Sequence, residues 1–227
     1  MKKRYVLCDS SSLISLSDSC LDSLLYFFRD NFGVKFIIPK SVEYESVTRP
    51  LTMRTKVYCF SAIRIQDMIN DGVIEVIEAD TEAETRKLME AGNGIFYAHG
   101  KPLRILHIGE TEMIALARKL EVNSLLMDER TTRVLLENPV SLAKHFQDEF
   151  HTNVMVNRQK LSEFSEHAGR MDIIRTTELV YIGAQQGFFH PFGKLEAQAT
   201  EAALYKLKYS GCAVSFNELK EYEGLMQ

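Results

Sequence analysis

Between Gly109 and Asp128 the chain runs GETEMIALARKLEVNSLLMD: a strongly helical run from Glu110 to Leu120, then a short apolar segment, Asn123 to Met127, closed by a carboxylate. A helix feeding a short buried strand is the unit of an α/β domain with a mainly parallel sheet. The same alternation extends upstream. Arg4 to Cys8 reads as a first strand ending at Asp9, and Ser11 or Ser12 can cap a helix through about Phe32 with Leu21, Leu24, Leu25 and Phe28 among its apolar residues. Lys35 to Ile38 is a second strand. Pro39 starts a helix, Val42 to Val47, and Pro50 is expected to break it before a longer helix through about Asn70. Val73 to Glu78 alternates as a third strand, and Glu82 to Ala91 is helical. Ala91 to Ile108 holds three glycines and Pro102 and reads as a mobile loop.

Downstream of Asp128 the pattern predicts helices from Thr131 to Glu137 and Pro139 to Phe150, and a last strand from Thr152 to Val156. After Gln159 it predicts helices alone: Met171 to Gln186, Lys194 to Tyr209 and Phe216 to Glu223. A boundary falls near 158–170, dividing the chain into an α/β domain, 1–165, and a helical C-terminal extension, 166–227. The expected architecture is a three-layer α/β/α domain around a parallel sheet.

At 227 residues, with 45% apolar and 26% charged residues, the composition is that of a globular protein. The longest stretch free of Asp, Glu, Lys and Arg, Leu179 to Gly193, has Gln185, Gln186 and Gly187 in its middle, so no membrane span is expected. Lys2, Lys3 and Arg4 are followed within a few residues by Asp9, which leaves no room for the apolar core of a signal peptide, and a cytoplasmic location is expected. Four cysteines, 8, 20, 59 and 212, form no CxxC pair and are read as buried or inert thiols. A net charge of −4 gives the surface as a whole no attraction for nucleic acid. One local stretch differs: Ser46 to Gln66 has no Asp or Glu and carries Arg49, Arg54, Lys56 and Arg64 with Tyr58 and Phe60.

The carboxylates lie where strands end. In open α/β sheets the binding site lies beyond the carboxyl ends of the strands, so Asp9 and Asp128 should meet there if their strands are neighbours. Glu45 and Glu110 lie in helices that directly follow strand or loop. Carboxylates brought together repel unless a cation neutralises them, and an all-oxygen set suits Mg²⁺ or Mn²⁺. A single strand-terminal Asp is ordinarily a helix N-cap.

The wording around each carboxylate resembles the PIN domain family of metal-dependent nucleases at four places. Tyr5-Val-Leu-Cys-Asp9-Ser-Ser11-Ser-Leu-Ile14 looks like the family's first strand, its first acidic residue and a Ser or Asn two positions on. Ile38-Pro39-Lys-Ser-Val42-Glu43-Tyr44-Glu45 is similar to the second motif, Gly109-Glu110-Thr-Glu112-Met-Ile-Ala-Leu-Ala117 to the third, and Leu125-Leu-Met-Asp128-Glu129-Arg130-Thr-Thr-Arg133 to the fourth. Thr152-Asn-Val-Met-Val156 looks like the family's last strand, so the resemblance covers about 1–165. It implies an RNA nuclease with Mg²⁺ or Mn²⁺ held by Asp9, Glu45, Glu110 and Asp128, with Glu112 and Glu129 as competitors for the last two places, and with Ser11 holding Asp9 or a water. Met127 stands where many members carry a small hydroxyl residue. Arg49, Arg54, Lys56 and Arg130 are the expected phosphate contacts; Arg133 lies one helical turn before Glu137 and can pair with it instead.

Gly94 to Lys101 has five residues between its glycines where a phosphate-binding loop needs four, and Pro102 replaces the hydroxyl. Asp9-Ser10-Ser11 lacks the second acid of an aspartyl phosphatase. The six histidines form no HxH or HxxxH pair for zinc. Phe188, Phe189 and Phe192 read as packing between tail helices. Many members of the resembled family are toxins of toxin and antitoxin pairs and others process RNA, so single-stranded or structured RNA, an antitoxin-type protein and a second copy of the chain all stay open as partners. The alternative to an enzyme is a degenerate module that has kept the fold to bind RNA or protein.

Overall fold

The computed structural model describes residues 4–225, the side chains of residues 223 and 225 excepted. The chain opens with strand β1 (Arg4–Cys8), helices α1 (Ser10–Asp18) and α2 (Ser23–Phe32), and strand β2 (Val34–Pro39). Next come α3 (Lys40–Glu43), a π-helical turn (Tyr44–Thr48), α4 (Arg49–Thr52), α5 (Cys59–Asn70), β3 (Ile74–Ile77) and α6 (Glu82–Gly92). Short strands β4 (Phe96–Ala98) and β5 (Lys101–Pro102) precede α7 (Ile108–Leu120) and β6 (Ser124–Leu126). Then follow α8 (Arg130–Glu137), α9 (Pro139–Phe150), β7 (Val154–Val156), α10 (Arg158–Ala168), β8 (Asp172–Ile174), α11 (Thr176–Gln185), a 3-10 turn (His190–Leu195), α12 (Glu196–Tyr209) and α13 (Phe216–Leu225).

Five strands form a wholly parallel sheet in the order β3-β2-β1-β6-β8, flanked by helices, so the fold is three-layer α/β/α. Side chains alternate across it as strand geometry requires. Leu7, Ile37, Leu125 and Met127 point to one face, against Met113, Leu116 and Ala117 of α7. Cys8, Phe36, Ile38, Ile74 and Leu126 point to the other, against α1, α2, α5, α11 and α12. A second small antiparallel sheet, β5-β4-β7, has its own core with α6, α9 and α10, and α7 serves both cores because Ile114 and Ala115 face that way. No described helix is long and apolar enough to cross a membrane.

Several expectations are corrected. The helix from Ser11 to Phe32 is two helices, interrupted at Cys20, whose φ of 57° no α-helix tolerates. Pro50 does not break its helix. The chain widens into the π turn just before it, with the Arg49 N–H bonded to the Tyr44 carbonyl, and this loosened turn absorbs a proline that can neither donate nor sit close to the preceding turn. The path breaks instead at Met53, where ψ reaches 146°. The segment 91–108 is no open loop: Ile95 and Phe96 are fully buried, and the Asn93 side chain accepts from Ile105 N and Leu106 N and donates to the Leu106 carbonyl.

The segment Thr152 to Val156 does supply a strand, β7, yet it pairs with β4 rather than with the main sheet. The edge position beside β6 belongs to β8, inside the region read as helices alone. Residues 166–225 therefore contribute a strand of the central sheet and, with α11 and α12, part of one helical layer. Cys20 is exposed and Cys59 half-buried, so only Cys8 and Cys212 are buried thiols. Phe189 is buried in the core and Phe188 packs edge-on against Phe27, as packing residues should, while Phe192 stays exposed.

Candidate active site

Strand order decides where a site can form. The chain proceeds from β1 outward to β2 and β3 on one side, while β6 and β8 lie on the other, so the topological switch falls between β1 and β6. There the chain leaves the two strands toward opposite faces of the sheet, α1 to one and α8 to the other, and the crevice between them is where α/β sheets bind ligands. The Asp9 N–H still reaches the Leu126 carbonyl at 3.0 Å, which fixes Asp9 to the end of β6.

A pocket of about 40 Å³ sits there, lined by Asp9, Ser10, Ser11, Val42, Glu45, Gly109, Glu110 and Glu129. Four carboxylates from four segments thus border one small space. Each is oriented by its own element. Asp9 caps α1, with Oδ1 accepting from Ser12 N and Oδ2 from Ser11 Oγ, both at 2.7 Å, so Ser11 holds Asp9 directly. Glu45 rides the π turn and accepts from Ser10 Oγ at 3.0 Å. Its two oxygens lie 3.0 and 3.1 Å from where a Cβ on Gly109 would stand, so a side chain at that position would force this carboxylate back by a few tenths of an ångström. Glu129 caps α8 by accepting from Thr131 N and Thr132 N. Glu110, in the first turn of α7, has a buried Oε2 with no hydrogen-bond partner.

The electrostatics follow from burial. Asp9 is 5% exposed, and its carboxyl is pushed up to about 7, first by loss of water and then by the nearby Asp128; the bonds from Ser12 and Ser11 only partly offset this. Burial likewise raises Glu110, assisted by Glu129 and Glu45, against a lowering by its own backbone N–H and by His107.

The strands of Asp9 and Asp128 are neighbours, as the expected meeting requires, and Asp128 is near enough to raise the Asp9 carboxyl. It does not itself line the pocket: it is 1% exposed, with its carboxylate hydrogen-bonded to the tail. Thr176 N donates to its Oδ1 at 2.8 Å, Thr176 Oγ1 to its Oδ2 at 2.7 Å, and Cys212 Sγ lies 3.3 Å from Oδ1. Burial raises its pKa against these donors. Its place beside the pocket is taken by Glu129, and Glu112 does not line the pocket. Ser10, Gly109, Thr176 and Cys212 were missed as site residues. Ser10 lay inside the quoted serine run, but nothing local to Thr176 or Cys212 signals a partner 48 or 84 positions away.

Of the expected phosphate contacts, Arg49 lines a groove adjoining the pocket. Arg54 and Arg130 are exposed. Lys56 bonds the Leu51 carbonyl at 3.1 Å, Arg64 is tied to Asp22, and Arg133 pairs with Glu137 at 3.3 Å.

Carboxylate donors and an orphaned buried Oε2 suit a hard cation such as Mg²⁺ or Mn²⁺ in kind. Among the described residues, however, no three His, Cys, Asp or Glu side chains are gathered into a ready-made metal site. The fit lies in the donor chemistry and the shared pocket, and not in a preassembled cage. Compared with known proteins, the chain matches no family model, no curated protein and no solved structure.

Proposed function

We propose that the protein is a metal-dependent nuclease acting on RNA. The observation that carries this reading is the convergence of Asp9, Glu45, Glu110 and Glu129 on one pocket at the topological switch of a parallel sheet. Those four carboxylates are the residues that would hold Mg²⁺ or Mn²⁺. Bound there, such a cation would neutralise charge on a phosphodiester and lower the pKa of a water for attack. The chain's own part is positional. Ser11 and Ser12 aim Asp9, Ser10 aims Glu45, the α8 N-terminus aims Glu129, and the partnerless Glu110 oxygen remains available. Arg49 supplies a cation for substrate phosphate beside an otherwise acidic pocket.

Two observations favour a second reading, a non-catalytic RNA- or protein-binding module. Asp128 is bound to Thr176, and the carboxylates are not tightly gathered. Metal linkage separates the two. A cation that binds only the folded chain stabilises it by roughly 2.7 kcal/mol at one hundred times its dissociation constant. The nuclease should therefore melt higher in Mn²⁺ and cleave a mixed single-stranded RNA, and Glu45→Gln with Glu110→Gln should abolish both effects. A wild-type protein whose melting temperature ignores Mn²⁺ and that leaves RNA intact would establish the second reading.

A further inference from the structure

The carboxylate pocket shares Ser10, Glu45 and Glu110 with a groove of about 690 Å³. The groove is lined by Met53 and Tyr58, from the segment between α4 and α5, by His107 and Ile108, at the start of α7, and by Arg49. Tyr58 is 49% exposed and Met53 and Ile108 are also open to solvent. An aromatic ring and two apolar side chains held in water beside an arginine are chemically suited to a ligand with a flat apolar face and a nearby negative charge. An unpaired nucleobase with its phosphate has both properties. A base within a duplex keeps its faces covered by its neighbours. An apolar protein segment would bury Glu45 and Glu110 without a compensating charge, which is costly. The surrounding acid-free stretch, Ser46 to Gln66, with Arg49 and Arg54, complements a polyanion.

We infer that this groove is a base-stacking subsite: an unpaired base of single-stranded RNA lies against Tyr58, with an adjoining phosphate on Arg49, next to the carboxylates. The inference rests on the nuclease reading and narrows its substrate to unpaired RNA. Stacking on a protein aromatic is worth about 1–3 kcal/mol per base, or roughly 5- to 150-fold in affinity.

The test is a binding titration with a short single-stranded RNA carrying a fluorescent aminopurine, in Ca²⁺ in place of Mg²⁺, set beside the same sequence as a duplex. Tyr58→Ala should weaken single-strand binding by that factor and remove the quenching of aminopurine. Tyr58→Phe should retain both, and Ile108→Ala, at another residue that lines the groove, should give a smaller loss. Duplex affinity should be lower and indifferent to Tyr58. Unchanged affinity and quenching in Tyr58→Ala would overturn the subsite; if the Glu45→Gln, Glu110→Gln variant still loses cleavage, the nuclease reading stands without it. Loss of binding in Tyr58→Ala, in a protein that neither cleaves RNA nor responds to Mn²⁺, would uphold the stacking groove and remove the nuclease. A molecular mass that rises with concentration and falls back in Tyr58→Ala would assign the groove to a second copy of the chain and overturn the inference.

Discussion

Asp9 holds its place at a cost. Its carboxyl takes up a proton at about 7 in the folded chain against 3.8 when free, so between those values the folded state binds more protons than the unfolded one, and stability falls as pH rises through that window. Asp9→Asn keeps the Ser12 cap through its side-chain oxygen and removes the charge. Without divalent cations the variant should melt higher than wild type, with a gain that is small near about pH 4 and grows to an order of a few kcal/mol by about pH 8, while RNA cleavage in Mn²⁺ collapses. A pH-independent difference in melting temperature would contradict this electrostatic account. Gly109 is the second sensitive position. A methyl there would meet the Glu45 oxygens at 3.0 and 3.1 Å and push the carboxylate away. Because alanine is the better helix former, Gly109→Ala should leave stability unchanged or raised by up to about 1 kcal/mol while weakening Mn²⁺ binding, measured by calorimetric titration. Undiminished Mn²⁺ affinity would remove Glu45 from the metal site.

The elements that place these residues differ in how readable they were. The strand read at Arg4 to Cys8, the one read at Lys35 to Ile38, observed as Val34–Pro39, and the helix read from Glu110 to Leu120 were legible because their apolar pattern is local in sequence. Strand β8 was not: Asp172-Ile-Ile174 offers two apolar residues, too few for a pattern, and it becomes a strand because β6 presents an open edge and the Met127 N–H can reach Ile174. The choice between Asp128 and Glu129 was equally hidden, since it depends on Thr176, a residue of the element following β8. Just before it, Arg175 is 8% exposed and bonds Glu178 and, at 2.6 Å, Glu218 of α13. Burial works against ionisation of Glu218, but the Ser215 N–H and Arg175 outweigh it and hold its carboxyl down at about 2. A depressed carboxyl adds stability above its unfolded value, about 4.5, that is lost as pH falls toward 2. Glu218→Gln should therefore lower the melting temperature at neutral pH, by a difference that shrinks as pH drops below about 4.5. An equal deficit at both ends of that range would mean that the ion pair with Arg175 is not what Glu218 contributes.

For the whole molecule, the division at 165/166 crosses the sheet. Cutting there would strip β8 from the edge of β6 and expose Cys8, Leu13, Leu24 and Leu126, which share a core with Leu179, Val180, Leu204 and Leu207. A fragment of residues 1–165 should show no cooperative thermal transition by circular dichroism and should aggregate through its open edge; a sharp transition near that of the full chain would make the tail a separate unit after all. The same wiring has a consequence in time. A ribosome delivers the chain from its N-terminus, so Asp9, Glu45, Glu110 and Glu129 all emerge while Thr176, Cys212 and Glu218 are still to be made. Until those residues follow, Asp128 lacks its hydrogen-bond partners and β6 has a bare edge. A chain assembled in this order stays unfinished until its tail is made, so the nuclease proposed above would complete its site only once the messenger that encodes it has been read through.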